Sequence, residues 1–150
     1  MQFIPDWAPN IHPLIIHFPI ALLLVAVFID TVSIWFHRTW LYKSALMMYL
    51  FGTLAAITAY ITGRIAADSV NPPFNAELTM SKHSDMALYT VLFFSIYTIL
   101  RLILQKKIDP ENKFLRLAAL AVALAGIFLL IGTADLGGKL VFKYGVGQFN

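Results

Sequence analysis

PLIIHFPIALLLVAVFIDTVSIWF, residues 13–36, decides the fold: it is an unbroken apolar run interrupted only by His17 and Asp30. A bilayer core about 30 Å thick is crossed by roughly 20 apolar helical residues, so this stretch reads as a membrane span. Working outward, three more spans follow, at about 44–66, 84–104 and 114–133. A basic turn, an Asn71-Pro72-Pro73 loop and a polar turn stopped by Asp109-Pro110 separate them. The expectation is one all-α domain, an integral membrane four-helix bundle over residues 1–150, with a glycine-rich C-terminal tail over 134–150 as an ordered surface segment.

Composition agrees. Of 150 residues 59% are hydrophobic and 13% charged, with a mean hydropathy of +0.75, where a soluble domain carries about 25% charged residues. That excludes a water-facing globule and, despite a net charge of +3, a nucleic-acid partner; the partner is the lipid bilayer. No lysine or arginine precedes Arg38, so the first span lacks the basic flank of a secretory signal. With no cysteine there is no thiolate metal site, iron–sulfur cluster or c-type haem attachment. Arg38, Lys43, Arg101, Lys106, Lys107, Lys113 and Arg116 outnumber Arg64, Lys82, Lys139 and Lys143 on the opposite side. The richer side is expected to be cytoplasmic, with both termini outside a bacterial inner membrane.

Lipid gives helices no hydrophobic reason to associate, so small residues must pack them. Gly52, Ala56, Ala59 and Gly63 form one such stripe, and Ala118, Ala121, Ala125 and Gly132 another. Asp30 is expected to pair with Arg101 or Lys43.

The chemistry lies in histidines. His12, His17 and His83 fall on the outer side, His37 on the other. Ionisable residues inside a span are costly and mark function. His17 and His83 lie at similar depth on two helices that enter from the same side. Ala21 and Ala87 stand one turn beyond them, leaving room for a flat macrocycle. Two neutral imidazoles suit haem b, with His17 and His83 as iron ligands. His12 is then an outer-sphere or alternative ligand, and Arg64 and Lys82 meet the propionates at the rim. Pro19 bends the first helix beside His17. His12 and His17 lie about 140° apart on a regular helix, so both cannot face one iron. The reading is a b-type cytochrome-like electron carrier rather than a stand-alone enzyme. Its alternatives are a non-redox accessory subunit of a larger membrane complex and a histidine site for a copper or zinc ion.

Asn10-Ile-His12-Pro13-Leu-Ile-Ile-His17-Phe18-Pro19, Thr62-Gly63, His83 and the stretch from Gly137 to Gly147 together resemble a bacterial membrane family, domain of unknown function 2231. The resemblance covers nearly the whole chain. It implies four spans and, because relatives occur joined to cytochrome c domains, a b-type cytochrome role. The implied partners are a c-type cytochrome or other membrane electron-transfer subunits.

Overall fold

The computed structural model describes residues 10–36, 38–105 and 112–147, and it is helical throughout, with turns between. The elements are α1 (His12–Ile15), α2 (His17–Phe36), α3 (Thr39–Asp68), a 3₁₀ turn at Phe74–Ala76, α4 (Glu77–Leu104) and α5 (Lys113–Phe142). Four helical stretches are long and apolar enough to cross a membrane: His12–Phe36, Thr39–Asp68, Phe74–Leu104 and Lys113–Phe142. His37, Lys106 and Lys107 lie outside the described residues.

The helices run up, down, up, down. Both α2 and α4 pack on α3 and on α5, so α2 and α4 face each other across the diagonal. Large apolar side chains such as Phe28, Trp35, Phe128 and Phe142 point outward, as lipid contact requires. The core is built around Leu23, Ala26, Tyr49, Phe94, Tyr97, Ala123 and Ile127.

The first small-residue stripe is where it is expected: Gly52, Ala56 and Ala59 are buried on α3. The second is not. Ala118, Ala121 and Ala125 are exposed, and α5 instead buries Ala123, Gly126, Ile127 and Leu130. Lipid tails are as apolar as a packed neighbour, so an alanine stripe can face either way. Gly126 is the close approach: a Cβ there would collide with the Phe93 ring and lie 2.8 Å from Phe94 Cζ. Gly126→Ala is therefore expected to cost about 1–3 kcal/mol by overpacking, read as earlier thermal unfolding in detergent, whereas Ala125→Gly changes little beyond helix propensity.

Helix α5 also runs further than the apolar pattern, through Gly137 and Gly138 to Phe142. An i,i+4 ion pair between Asp135 and Lys139 supports the extension. It ends at Gly145 (φ 68°), where the Gly145 and Val146 amides donate back to the Val141 and Leu140 carbonyls at 3.1 and 2.9 Å. The positive φ favours glycine at such a stop.

Candidate functional site

Pro19 sets the site. It has no N–H for the Ile15 carbonyl, and its ring crowds that carbonyl, so the helix loses a bond and bends at Ile16, between α1, which ends at Ile15, and α2, which starts at His17. Pro13 opens α1 in the first turn, and Asn10 Oδ1 accepts the His12 amide at 3.0 Å. Ile16 keeps helical dihedrals (φ −59°, ψ −25°), so the chain bends there and the five-residue spacing holds the two histidines about 140° apart. His17 is exposed on the outside of α2, while His12 leans inward onto α3.

His12 Nδ1 lies 3.3 Å from Thr62 Oγ1. That hydroxyl carries one proton, already donated within α3 to the Thr58 and Ala59 carbonyls at 3.0 and 3.1 Å. Thr62 Oγ1 must therefore accept, and His12 Nδ1–H donates. His83 is fixed the same way from α4. Its Nδ1 is 3.0 Å from the Thr133 carbonyl oxygen on α5, which can only accept. Both rings are Nδ1–H tautomers, which leaves Nε2 as the basic nitrogen on each. Both rings lie at the same end of the bundle, each bonded to a threonine of the helix beside it. Each lies against a glycine of its neighbour helix: a Cβ on Gly63 would sit 2.9 Å from His12 Cε1, and one on Gly137 3.0 Å from His83 Cε1.

The other expected site residues distribute around this pair. Arg64 is exposed and donates to Ser84 Oγ at 3.3 Å, tying α3 to α4 at the rim. Lys82 is exposed and lines a groove of about 480 Å³ with Asp85, Met86, Tyr89, Gly132, Asp135 and Leu136. Ala87 is half-buried on α4, and Ala21 is exposed. The structure thus turns His12, rather than His17, to the bundle at the end where His83 lies. Among the described residues no group of three or more His, Cys, Asp or Glu could hold a metal ion.

A second polar centre occupies the opposite end. Arg101 on α4 pairs with Asp30 on α2, Nη1 to Oδ2 at 2.7 Å and Nη2 to Oδ1 at 3.1 Å. Nη1 also donates to Tyr97 Oη at 2.6 Å, and Tyr97 Oη donates to the Ala119 carbonyl at 3.1 Å. The guanidinium lies over the rings of Tyr42, Tyr49 and Tyr97 at 5.1–5.6 Å. Arg116 donates to Ser33 Oγ at 2.6 Å, and Ser33 Oγ donates to the Asp30 carbonyl at 2.7 Å. Of the two partners read for Asp30 from sequence, Arg101 is the one it takes. The tyrosine and Arg116 shell carries no motif and is seen only in the structure.

Four long apolar helices closed around a buried ion pair and a histidine pair define a multi-pass helical membrane protein. More particularly, a family model described as a predicted membrane protein, domain of unknown function 2231, matches residues 8–150, and the chain belongs to that family. No curated protein and no solved structure matches it.

Proposed function

We propose that the protein is a b-type cytochrome-like electron carrier that holds one haem between His12 and His83 at one end of the bundle. The observation that carries this reading is the matched tautomer. Metal-ligating histidines donate their second ring nitrogen to a fixed acceptor, which orients the ring and raises the basicity of the ligating nitrogen. His12 and His83 both do so, on opposite helices of the diagonal, and Gly63 and Gly137 supply the clearance each ring needs against the neighbouring backbone. The donor set also fits: two neutral imidazoles, one from each side, would suit the iron of a haem. Among the described residues no third His, Cys, Asp or Glu joins the two to complete a site for a bare copper or zinc ion. When bound, haem supplies one-electron exchange between ferric and ferrous iron. The chain's own residues orient the imidazoles, shield the site between helices and, through exposed Lys82 and Arg64, place positive charge at the rim where carboxylates would emerge.

Protein purified after expression with ample haem is expected to be coloured, with a sharp α-band on reduction and about one haem per chain. Colourless protein with no bound metal would overturn the reading in favour of a non-redox subunit.

The basic-residue bias supports an orientation with the histidine end outside a bacterial inner membrane. A cysteine at Asn75, in the α3–α4 loop, is then expected to react with an impermeant thiol reagent added to cells, and one at Asn112, the N-cap of α5, is not. Both positions are exposed and the chain has no native cysteine. The reverse labelling would put the histidine pair in the cytoplasm.

A further inference from the structure

The histidine contact on α3 and the one on α5 have the same sequence spacing: His12 to Thr62 and His83 to Thr133 are each separated by 50 residues. The ion pair gives a second spacing, since Asp30 and Arg101 are 71 residues apart. His12 to His83 and Thr62 to Thr133 repeat that separation of 71. The bonds repeat as well: Thr62 Oγ1 donates to the Thr58 carbonyl, and Thr133 Oγ1 to the Leu129 carbonyl, each one turn back.

Burial follows the same offset. Every residue buried on α4 lies 71 positions after one buried on α2, Leu23 and Phe94 or Ala26 and Tyr97 among them. On the return helices Gly52 and Ala123, and Ala56 and Ile127, correspond. Burial alone would not fix the register, because a heptad pattern also matches when slid by one heptad. The hydrogen-bonded histidines and the ion pair do fix it.

We infer that the chain is two copies of one helical hairpin, α1–α3 and α4–α5, related by an approximate two-fold axis along the bundle, and that His12 and His83 are equivalent donors facing each other across that axis. The equivalence deepens the cytochrome reading and rests on it in one respect only. It names the ligand class as a centre with two like, opposed coordination positions, as a six-coordinate haem has.

The geometry of such an axis explains its residues. On a two-fold axis each position meets its own counterpart. At the ligand end two identical residues meet, because one centre takes one imidazole from each side. At the other end two identical charges would repel at close range where water does not screen them, and the axis instead carries opposite signs, Asp30 and Arg101. Both hairpins enter the membrane from the same side, so the axis runs along the membrane normal. The two axial centres are about 18 residues apart on each helix, roughly 27 Å at 1.5 Å per residue.

Two measurements on the full-length, cofactor-free protein in detergent test this. Spin labels at Val25 with Val122 and at Ile96 with Phe51 are corresponding pairs across the repeat, and all four positions are exposed. Their distance maxima are expected to agree within about 5 Å, one helical pitch; a larger difference would overturn the repeat. Nitrogen-15 NMR of labelled histidines at pH 8, assigned with His12→Ala and His83→Ala, is expected to show both rings protonated at Nδ1 and bare at Nε2. A ring found protonated at Nε2 would overturn the equivalence. Neither readout needs haem, so a colourless protein with matched distances and tautomers would sink the cytochrome proposal and leave the repeat standing.

Discussion

His83→Ala is expected to abolish the low-spin spectrum of the haem-loaded protein, and His12→Ala to do the same, whereas His17→Ala keeps it. Removing either imidazole leaves iron with one axial protein ligand. The site then turns high-spin or loses haem, seen as a broadened Soret band and a pyridine-haemochrome yield well below one per chain. His17 is exposed on the outer surface of α2 and contributes no ligand from there. The supporting acceptors give a graded version of the same test. Thr62 acts through its side chain, so Thr62→Val removes the acceptor for His12 Nδ1–H and is expected to weaken haem retention about 10–100-fold. Thr133 acts through its carbonyl, which Thr133→Val retains. A Thr133→Val effect as large as that of Thr62→Val would show that the Thr90–Thr133 hydroxyl contact at 2.9 Å, rather than the tautomer, supports the ring. Loss of the spectrum in His17→Ala with its retention in His12→Ala would return the ligand role to His17.

How much of this was legible in the sequence differs by scale. Spans are legible because bilayer thickness imposes length and apolarity independently of any neighbour. Asp30 and Arg101 are legible as partners because an isolated charge at that depth is too costly to leave unpaired. The α3 stripe of Gly52, Ala56 and Ala59 is correctly placed, but the same logic points the wrong way on α5, where Ala118, Ala121 and Ala125 face outward. In water an apolar face must turn inward; in lipid it need not. The histidine pairing depends on which face of the first helix meets α3. On a regular helix His12 and His17 diverge by about 140°, and matching depth favours His17. Pro19 is legible as a bend, but which of the two faces meets the bundle is seen only in the packing, where His12 reaches Thr62 and His17 stays exposed. The hairpin repeat is not legible either, because beyond His12–His83 and Thr62–Thr133 the corresponding positions share burial and depth far more than residue type. Ala26 answers to Tyr97, Val27 to Thr98 and Asp30 to Arg101.

The largest stability effect is expected at that last pair. Arg101→Leu leaves the Asp30 carboxylate buried without its partner, and breaking a buried pair from one side costs about 3–5 kcal/mol. Both side chains are under a tenth exposed, at 7% and 4%, so water cannot take over. The guanidinium is also the donor to Tyr97 Oη and lies over three tyrosine rings, so its loss loosens α3 and α4 together. Asp30→Arg is expected to be worse, since two guanidiniums then meet on the diagonal with Arg116 one contact away through Ser33. Asp30→Asn keeps an acceptor and the shape but leaves the guanidinium charge uncompensated, so its cost is expected at the lower end of the same range, about 3 kcal/mol. The exchange Asp30→Arg with Arg101→Asp restores opposite signs across the axis and is expected to recover part of the loss in thermal unfolding in detergent. Recovery stays partial because the tyrosine shell belongs to one side: Tyr97 answers to Ala26 and Tyr49 to Leu120, so a guanidinium carried on α2 has no equivalent rings beside it. An exchange variant no more stable than Asp30→Arg alone would show that the shell around Arg101, and not the sign of the charge facing Asp30, holds the two hairpins together.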